Sequence, residues 1–402
     1  MPEPFAFDPL DPATRRNPFP LYERGRLAHP VHRHAGLPRP VYSVFRYVDV
    51  QAILRDFETW SSEFPARIFG NADGAPPPSM LGTDPPAHTR LRSLVNKAFT
   101  PRIVQRLEPR MREVSERLLD AAVEAGEVDL VQALTYPLPV TMIAEIIGVP
   151  PEDRERFKQW SDRAVSALGT GFFAGMSQER MARRVRLLDE MRGYFVPLAE
   201  RRRSEPREDL LSGLVAAEHE GSKLDHEEML SMLVLLLVAG NETTTTLIGN
   251  AVLELLAHPD EEKRLRDDPR LLPTAVEEVL RFSSPVQFDP RRATRPVELC
   301  GQRIEPDEFV FCWLGSANRD AAVFEEPDRF DVARERNPHL AFGFGTHYCL
   351  GANLARLEAR VALETLLRRT RRFERVGDEP LPLHQSPVFR AVTSLPLRLH
   401  PT

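Results

Sequence analysis

The stretch that decides the fold is FGFGTHYCLG, residues 342–351, followed by the helix-forming run ANLARLEARVALETLL, residues 352–367. The run places apolar side chains along one side of a helix: Leu354, Leu357 and Val361. Cys349 therefore stands just before a helix start, where backbone N–H groups and the helix dipole lower a thiol pKa and favour a thiolate. Three glycines of the stretch allow a tight turn and the close approach of a flat ligand: Gly343, Gly345 and Gly351.

Two other interpretations of this stretch give the thiolate no role or a different one. The first is a glycine-rich turn that buries a cysteine, but the segment matches FGxGxHxCxG at every fixed position, which chance explains poorly. The second is a zinc site formed by His347 and Cys349, which has no CxxC and no further ligand pair to complete a tetrahedral set. A reactive thiolate is the better interpretation.

The composition is that of a globular protein without a nucleic-acid partner. Of 402 residues, 42% are hydrophobic and 28% charged, a balance that supports a core able to enclose a ligand. The net charge of -6 excludes the dominant basic surface that nucleic-acid binding needs. With three cysteines and no apolar leader, we expect a cytoplasmic protein without disulfides. Because no repeat or Gly/Ser-rich linker divides the chain, we expect a single domain over residues 1–402.

Helical patterning dominates the chain. Apolar residues recur at three- and four-residue spacing over residues 89–214, which predicts successive helices. Strands are predicted at residues 41–44 and in VELCGQRIEPDEFVFCWLG, residues 297–315, where Gly301 and Gln302 suit a tight hairpin turn. The prolines of residues 60–86 predict an irregular loop that can contact a substrate. The predicted fold class is mainly α with small β-sheets.

The most informative helix begins after Asp225, which with Glu228 resembles a capping pair, and it stops at residues 258–259. Its apolar stretch ends at Asn241 and Glu242, too short to cross a bilayer, so we expect a core helix and no membrane span. An acid and four threonines, residues 242–246, are unusual there. Threonine hydroxyls can bond back to carbonyls four residues earlier and bend a helix. The alternative is a polar segment that faces solvent.

Two more patterns are weak indicators of function when each is taken by itself. Glu278 and Arg281 form an ExxR sequence, which is also an ordinary ion pair of a helix surface. His88 and Arg92 of DPPAHTRLR, residues 84–92, lie one helical turn apart and face the same way, as solvated surface residues also do. Their order along the chain gives them weight, because ExxR precedes PDRF, residues 327–330, and the cysteine stretch follows.

Taken together, these stretches resemble the cytochrome P450 family over most of the chain. The resemblance implies a P450 fold in which a long central helix lies over haem b and the Cys349 sulfur is the axial ligand of the iron. It implies that Glu278 and Arg281 stabilise the fold around the haem. It also implies haem-binding residues at the propionates, in the long helix and in the cysteine loop: His88, Arg92, Arg291 and His347; Ala239 and Gly240; and Phe342, Gly343 and Gly351.

The resemblance further implies a monooxygenase that inserts one oxygen atom of O2 into a hydrophobic small molecule, usually by C–H hydroxylation. Glu242 and Thr243 would deliver protons to the bound oxygen, while Gly240 leaves room. The pocket would be lined by the loop at 60–86 and by residues that core packing explains equally well: Val286, Phe288, Phe389, Phe172 and Phe173. A fatty acid, terpenoid, steroid or polyketide would fit such an apolar pocket.

Electrons would come from a separate ferredoxin or flavodoxin and its reductase, and ultimately from NAD(P)H, because the resemblance leaves no room for a flavin or iron–sulfur module. Between residues 88 and 119 the sequence contains eight basic residues and only three acidic ones. This excess predicts either a positive docking patch for the electron donor or an ordinary solvated helix face. We expect a monomer. Two alternatives keep the haem: a peroxide-driven peroxygenase, against which the Glu242–Thr243 pair argues, and a non-catalytic haem sensor or carrier.

Overall fold

The structure is a computed structural model that describes residues 5–37, 39–64, 79–96, 99, 101–165, 178–219 and 222–402. The α-helices of these residues are, in order, α1 Pro12–Arg16, α2 Phe19–Ala28, α3 Tyr47–Arg55, α4 Ala87–Asn96, α5 Pro101–Arg106, α6 Glu108–Ala125, α7 Pro137–Ile147, α8 Arg154–Val165, α9 Gln178–Ser204, α10 Leu210–Ala216, α11 His226–Ala257, α12 Pro259–Asp267, α13 Leu272–Phe282, α14 Leu314–Ala317 and α15 Ala352–Arg369. The mainly helical class is confirmed.

The strands form small sheets at the edge of the helical body. They are β1 Val31–Arg33, β2 Val41–Val44, β3 Trp60–Ser61, β4 Glu127–Asp129, β5 Glu218–His219, β6 Ser222–Lys223, β7 Phe288–Ala293, β8 Val297–Leu299, β9 Gln302–Ile304, β10 Phe309–Trp313, β11 Thr370–Arg375 and β12 Pro396–Pro401. The largest sheet has the order β1-β2-β10-β7-β3, with β2 and β10 parallel and the other neighbours antiparallel. A second sheet has the order β11-β12-β4, and two hairpins pair β5 with β6 and β8 with β9.

The β8–β9 hairpin turns one residue earlier than expected. Its central residues are Cys300, with φ 49°, and Gly301, with φ 75°, whereas Gln302 already pairs with Leu299 in the strands. Two successive positive φ angles are the mark of a type I′ turn, which matches the right-handed twist of the flanking strands. The prediction of a Gly301–Gln302 turn is therefore wrong by one position, because it took the glycine as the first central residue.

Helix α11 begins and ends where the sequence predicts. Asp225 accepts a hydrogen bond from the Glu228 backbone N–H, and the Glu228 side chain accepts one from the Asp225 N–H, which completes a capping box. The expectation that the helix is too short for a membrane is wrong, because by length and composition alone it could cross one. However, 65% of its most apolar 18-residue stretch is buried, and it packs against α7, α13 and α15. Helix α11 is therefore a core helix of the described structure.

The helix that follows the cysteine, α15, joins α11 in the main hydrophobic core. Leu354, Leu357 and Val361 are buried in that core, as their spacing predicts. The same cluster takes in residues from Met80 to Leu399, so it connects segments from most of the chain. Of the predicted loop at 60–86, the described parts hold β3 and a short 3₁₀ helix, Met80–Gly82, and residues 65–78 lie outside the described residues.

Candidate functional site

The loop before α15 holds Cys349 through backbone geometry. The Cys349 N–H donates to the Phe342 carbonyl oxygen at 2.8 Å, which closes the loop. Gly343 and Gly345 have φ angles of 72° and 70°, in the left-handed region that glycine adopts without a Cβ clash. At Gly345 a Cβ would also lie 2.8 Å from the carbonyl oxygen of Leu54 in α3. A glycine is therefore required at that position by both conformation and space.

The Cys349 sulfur is surrounded by protein but keeps one open side, and all three cysteines of the chain are free. Burial raises the pKa of the Cys349 thiol above its usual range. Three groups oppose the shift: the backbone N–H of Gly351 at the start of α15, and the guanidinium groups of Arg92 and Arg356. The expected depression of the pKa by the helix start is present as a contribution, but burial outweighs it. A metal cation at the sulfur would favour the deprotonated form at this position.

An ion-pair network supports the loop from behind. Arg356 of α15 donates to both oxygens of Glu277 at 2.6 and 2.8 Å, and His339 lies 3.0 Å from the same carboxylate. The Arg356 guanidinium lies 4.5 Å from the centre of the Phe342 ring and 3.3 Å from the Tyr348 hydroxyl. Sequence reasoning missed this network, because Glu277 precedes the ExxR pair without any motif of its own.

Buried nitrogen donors from distant segments gather beside the cysteine loop. His88 of α4 and His347 of the loop have ring centres 4.2 Å apart. Both nitrogens of His88, Nε2 of His347 and one terminal nitrogen of Arg291 in β7 are buried without a hydrogen-bond partner among the described residues. Buried polar atoms are nearly always paired, so an unpaired group of donors indicates a missing acceptor. The structure thus brings three of the four predicted propionate residues to one place.

The fourth predicted propionate residue, Arg92, donates to the Thr346 carbonyl oxygen at 3.4 Å. Its guanidinium group also interacts electrostatically with the Cys349 sulfur. Burial lowers the pKa of His88 to about 4, and the positive charges of His347 and Arg92 add to the effect. A carboxylate placed among these groups would oppose that shift. The arrangement therefore suits an anionic ligand.

Asp84, which the sequence analysis did not select, lies in the same cluster. Its carboxylate accepts from the Ser61 hydroxyl at 2.5 Å and the Ser62 N–H at 3.0 Å, and it lies 3.9 Å from His347 Nε2. Burial alone would raise the pKa of Asp84, but His347 and Ser61 lower it below its usual range. Asp84 thus places an ionised carboxylate that orients His347 from the side of β3.

The ExxR pair is fully buried. Arg281 donates through two nitrogens to both oxygens of Glu278 at 2.8 Å, and both side chains are 0% exposed. Arg281 also donates to carbonyl oxygens of Asn318 and Pro327, while Arg334 donates to Glu278. Removing one partner of such a buried pair costs about 3–5 kcal/mol, against a few tenths for a surface pair. The pair thus ties α13 to the chain around residues 318–334.

In α11, the Thr243 hydroxyl donates to the Ala239 carbonyl oxygen at 2.6 Å, which is the back-bond that the sequence predicts. The helix is nevertheless unbroken from His226 to Ala257. A Cβ on Gly240 would meet the Ile143 side chain at 3.4 Å, so the missing side chain lets α7 approach α11. Ala239, one residue earlier, is exposed and faces away from that packing.

Glu242 is largely buried, and burial together with the negative charge of Asp162 raises its pKa to about 7. Its Oε1 lies 3.8 Å from Nε2 of His384, and both side chains are only 13–14% exposed. A carboxyl group with a pKa near neutrality exchanges protons readily at neutral pH. Glu242 beside the Thr243 hydroxyl is therefore suited to proton transfer.

The predicted pocket residues are not all in one place. Val286 and Phe389 form a β-bridge, and Phe389 is buried against His384, with ring centres 5.4 Å apart. Phe288 is only 1% exposed and packs between Phe311 and Trp313 at 4.8 Å, so core packing accounts for its position, and its assignment to the pocket stays a prediction. Phe172 and Phe173 lie outside the described residues.

These residues fit a haem. The unpaired donors of His88, His347 and Arg291 match the two propionate carboxylates of haem b, and charged donors form the stronger hydrogen bonds. The Cys349 sulfur, with one open side, offers the thiolate that an iron cation would hold deprotonated. The unpaired buried nitrogens thus support the binding of a haem at this site.

Comparisons with known proteins agree with this fit. The cytochrome P450 family model matches residues 23–397. The vitamin D(3) 25-hydroxylase of Pseudonocardia autotrophica is 40% identical over 392 residues, which cover 96% of this chain and 94% of that protein. Cytochrome P450 CYP109Q5 from Chondromyces apiculatus matches with a TM-score of 0.89 and 41% identity over 98% of both chains. CYP109E1 from Bacillus megaterium, solved in complex with testosterone, matches with a TM-score of 0.85 and 37% identity over 95% of this chain and 99% of that one. This chain therefore belongs to the cytochrome P450 family and is a P450 monooxygenase with a haem iron cofactor.

Proposed function

We propose that this P450 hydroxylates a C–H bond of a hydrophobic small molecule with O2 and electrons that derive from NAD(P)H. The observation that carries the proposal is the Glu242–Thr243 pair: a largely buried carboxyl group with a pKa raised to about 7, next to a hydroxyl group in the central helix. Controlled proton delivery is what separates O2 activation from simple haem binding. The pair therefore favours a monooxygenase cycle over a haem sensor or carrier.

Each residue of the site has a proposed task. Cys349 binds the iron, and the N–H of Gly351 with Arg92 and Arg356 stabilises the negative charge of its sulfur. His88, Arg92, Arg291 and His347 bind the propionates. When bound, the haem would supply the oxidation chemistry, and the Cys349 thiolate would donate electron density to it. Ala239, Gly240, Phe342 and Gly343 lie along the two elements that would enclose it, and Thr243 with Glu242 provides protons.

The substrate class we propose is a sterol-like or steroid molecule. The support is that one relative is named a vitamin D(3) 25-hydroxylase and another was solved with testosterone. Val286 and Phe389, which are joined by a β-bridge, would form part of an apolar wall for such a ligand. Fatty acids, terpenoids and polyketides are the comparison set for the test.

Electrons would come from a separate ferredoxin or flavodoxin with its reductase. A peroxygenase is the second candidate function, and the two differ in what they need: the monooxygenase requires O2 and a reductase, whereas the peroxygenase requires peroxide alone. Turnover with a ferredoxin, its reductase and NADPH, in parallel with turnover on hydrogen peroxide, separates them. Product formed faster with peroxide than with O2 would overturn the monooxygenase proposal.

Thiolate ligation is tested by the absorption spectrum of the reduced carbon monoxide complex. We expect the wild-type protein to show the long-wavelength Soret band of a thiolate-bound haem. Cys349→Ala should lose this band, whereas Cys300→Ala, which removes an exposed thiol at a hairpin turn, should keep it. The same band in Cys349→Ala would show that another atom binds the iron.

A titration of the ferric protein with steroids, terpenoids and fatty acids then tests the substrate class. Binding that displaces water from the iron shifts the Soret band, so each compound gives a dissociation constant without turnover. We expect steroids to bind at least about tenfold more tightly than a fatty acid of similar size, a difference of about 1.4 kcal/mol. Equal or reversed affinities would reject the proposed class but leave the monooxygenase assignment in place.

A further inference from the structure

His384 is a largely buried histidine that none of the sequence motifs includes, and it faces the proposed proton donor. It lies on the segment that pairs Leu383 with Val392, close to the C-terminal strand. Its Nε2 is 3.8 Å from Oε1 of Glu242, slightly too far for a hydrogen bond, and a small side-chain movement would bring the two atoms into hydrogen-bond contact. Since both side chains are nearly buried, this interaction is poorly screened by solvent.

The direction of the His384 ring is fixed by its surroundings. The Ser386 N–H donates to Nδ1 at 3.1 Å, so in the neutral imidazole the proton lies on Nε2, which faces Glu242. The His384 N–H donates to the Ala391 carbonyl at 2.9 Å, and Arg15 of α1 donates to the His384 carbonyl oxygen. The Phe389 ring packs edge-on against the imidazole. The Nε2–H group is therefore preorganised towards the carboxylate.

Other charged groups near Glu242 and His384 also shift the pKa values of these two residues. Glu242 also faces Asp162 of α8, whose negative charge disfavours ionisation, and Tyr136 ahead of α7, which donates a hydrogen bond to Asp162. His384 also faces Arg15, whose positive charge adds to burial in lowering the pKa of the imidazole. Of these groups, His384 is the one that presents an N–H donor towards Glu242.

We propose that His384 is a positioning residue for proton delivery, whose Nε2–H faces the Glu242 carboxyl group and offers it a hydrogen-bond donor when that group ionises. This inference rests on the proposed function of Glu242. In this role His384 touches neither substrate nor haem. It acts through Glu242, and its removal leaves Asp162 as the nearest charge, so protonated Glu242 becomes favoured.

The test is a pH titration of the ferric holoenzyme followed by infrared difference spectroscopy of the carboxylic C=O stretch. The band of Glu242 is identified by its loss in Glu242→Gln. We expect His384→Asn, whose side-chain oxygen can still accept from the Ser386 N–H, to raise the midpoint of this band by at least half a pH unit. His400→Asn, which replaces a partly exposed histidine paired with Glu374, should leave it unchanged.

A second measurement is the fraction of NADPH electrons recovered as product across pH. In His384→Asn the pH midpoint of this coupling should move upward by the same amount as the carboxyl midpoint. His384→Gln, whose longer side chain can bring its amide N–H closer to Glu242, should lie between the wild type and His384→Asn. If His384→Asn binds haem normally and leaves the Glu242 midpoint unmoved, the inference is wrong. The titration needs no turnover, so a protein that hydroxylates nothing would refute the proposed function without deciding this one.

Discussion

At the scale of single residues, Glu358 shows how burial creates a dependence on pH. This residue of α15 is 1% exposed, and burial raises its pKa to about 8, while a hydrogen bond with Thr244 of α11 partly opposes the shift. Its Oε2 has no hydrogen-bond partner among the described residues. The folded protein therefore keeps Glu358 protonated at neutral pH, although the unfolded chain would ionise it.

The stability consequence follows from proton linkage. Between the model-peptide pKa of 4.5 and about 8, the folded state binds a proton that the unfolded state has released, so stability falls as pH rises through this window. Glu358→Gln keeps the shape and removes the ionisable group. We expect it to raise the free energy of unfolding in urea at pH 8.5 by at least about 1 kcal/mol.

At pH 4.5 the same substitution should change the stability much less, because the unfolded chain is then only about half ionised at this position. The matched control is Glu335→Gln at an exposed position, which should have no pH-dependent effect. A gain of equal size at both pH values would mean that Gln packs better there, and that ionisation of Glu358 does not limit stability.

The site could be predicted residue by residue only where a motif marks it. Cys349, His88 and His347 stand in recognisable stretches, and the structure brings the two histidines within ring contact. Asp84 and His384 were missed, since each is an ordinary polar residue until folding brings a distant segment against it. The direction of the Cys349 pKa shift was also misjudged, because the sequence shows the helix start but not how much protein surrounds the sulfur.

At the scale of elements, short sequence patterns predicted the features that depend only on residues close together in the chain. The capping box of α11 and the buried face of α15 involve residues three or four apart, so their spacing is enough. The family resemblance placed Phe288 at the pocket wall but could not distinguish a wall from the core, and Phe288 packs in an aromatic cluster formed with β10. Such assignments depend on which sheet face is covered, and that is decided by distant residues.

The β8–β9 hairpin offers a stability prediction of its own. Cys300 occupies a left-handed conformation with φ 49°, which costs a residue with a Cβ about 1–2 kcal/mol and which asparagine tolerates better. We therefore expect Cys300→Asn to raise the free energy of unfolding by about 0.5–1 kcal/mol, even though it removes the contact between Arg46 and the sulfur. Urea denaturation measures the change.

Gly301→Ala is the matched opposite change. A Cβ at this position meets no atom within 4 Å, so any loss of stability comes from the positive φ of 75° alone. We expect a loss of about 1 kcal/mol. If Cys300→Asn destabilises the protein while Gly301→Ala does not, the hairpin does not turn at these two residues in solution.

At the scale of the whole molecule, the charge distribution differs from what the sequence counts suggest. Of the eight basic residues between 88 and 119, Arg90 pairs with Glu228, Arg110 pairs with Glu145, and Arg112 pairs with Glu108 and Glu364. These pairs neutralise much of the predicted patch. The remaining exposed basic residues that the structure describes in this stretch are Arg102 and Arg106 of α5 and Arg117 of α6. The prediction of a single domain stays a prediction.

Arg102 and Arg106 are both exposed on α5, which packs against α15, the helix that starts at the cysteine loop. Their positive charges would therefore meet an acidic electron donor close to Cys349, and long-range attraction speeds association mainly at low ionic strength. We expect Arg102→Glu/Arg106→Glu to slow reduction of the ferric protein by an acidic ferredoxin about tenfold or more at low salt, and to flatten the salt dependence of the rate. Stopped-flow kinetics across ionic strength measures both.

Arg201→Glu/Arg207→Glu, with the same change of charge at exposed positions at the end of α9 and after it, should keep most of the wild-type rate. Equal slowing by the two double variants would show that net charge, and not an α5 docking surface, controls the encounter.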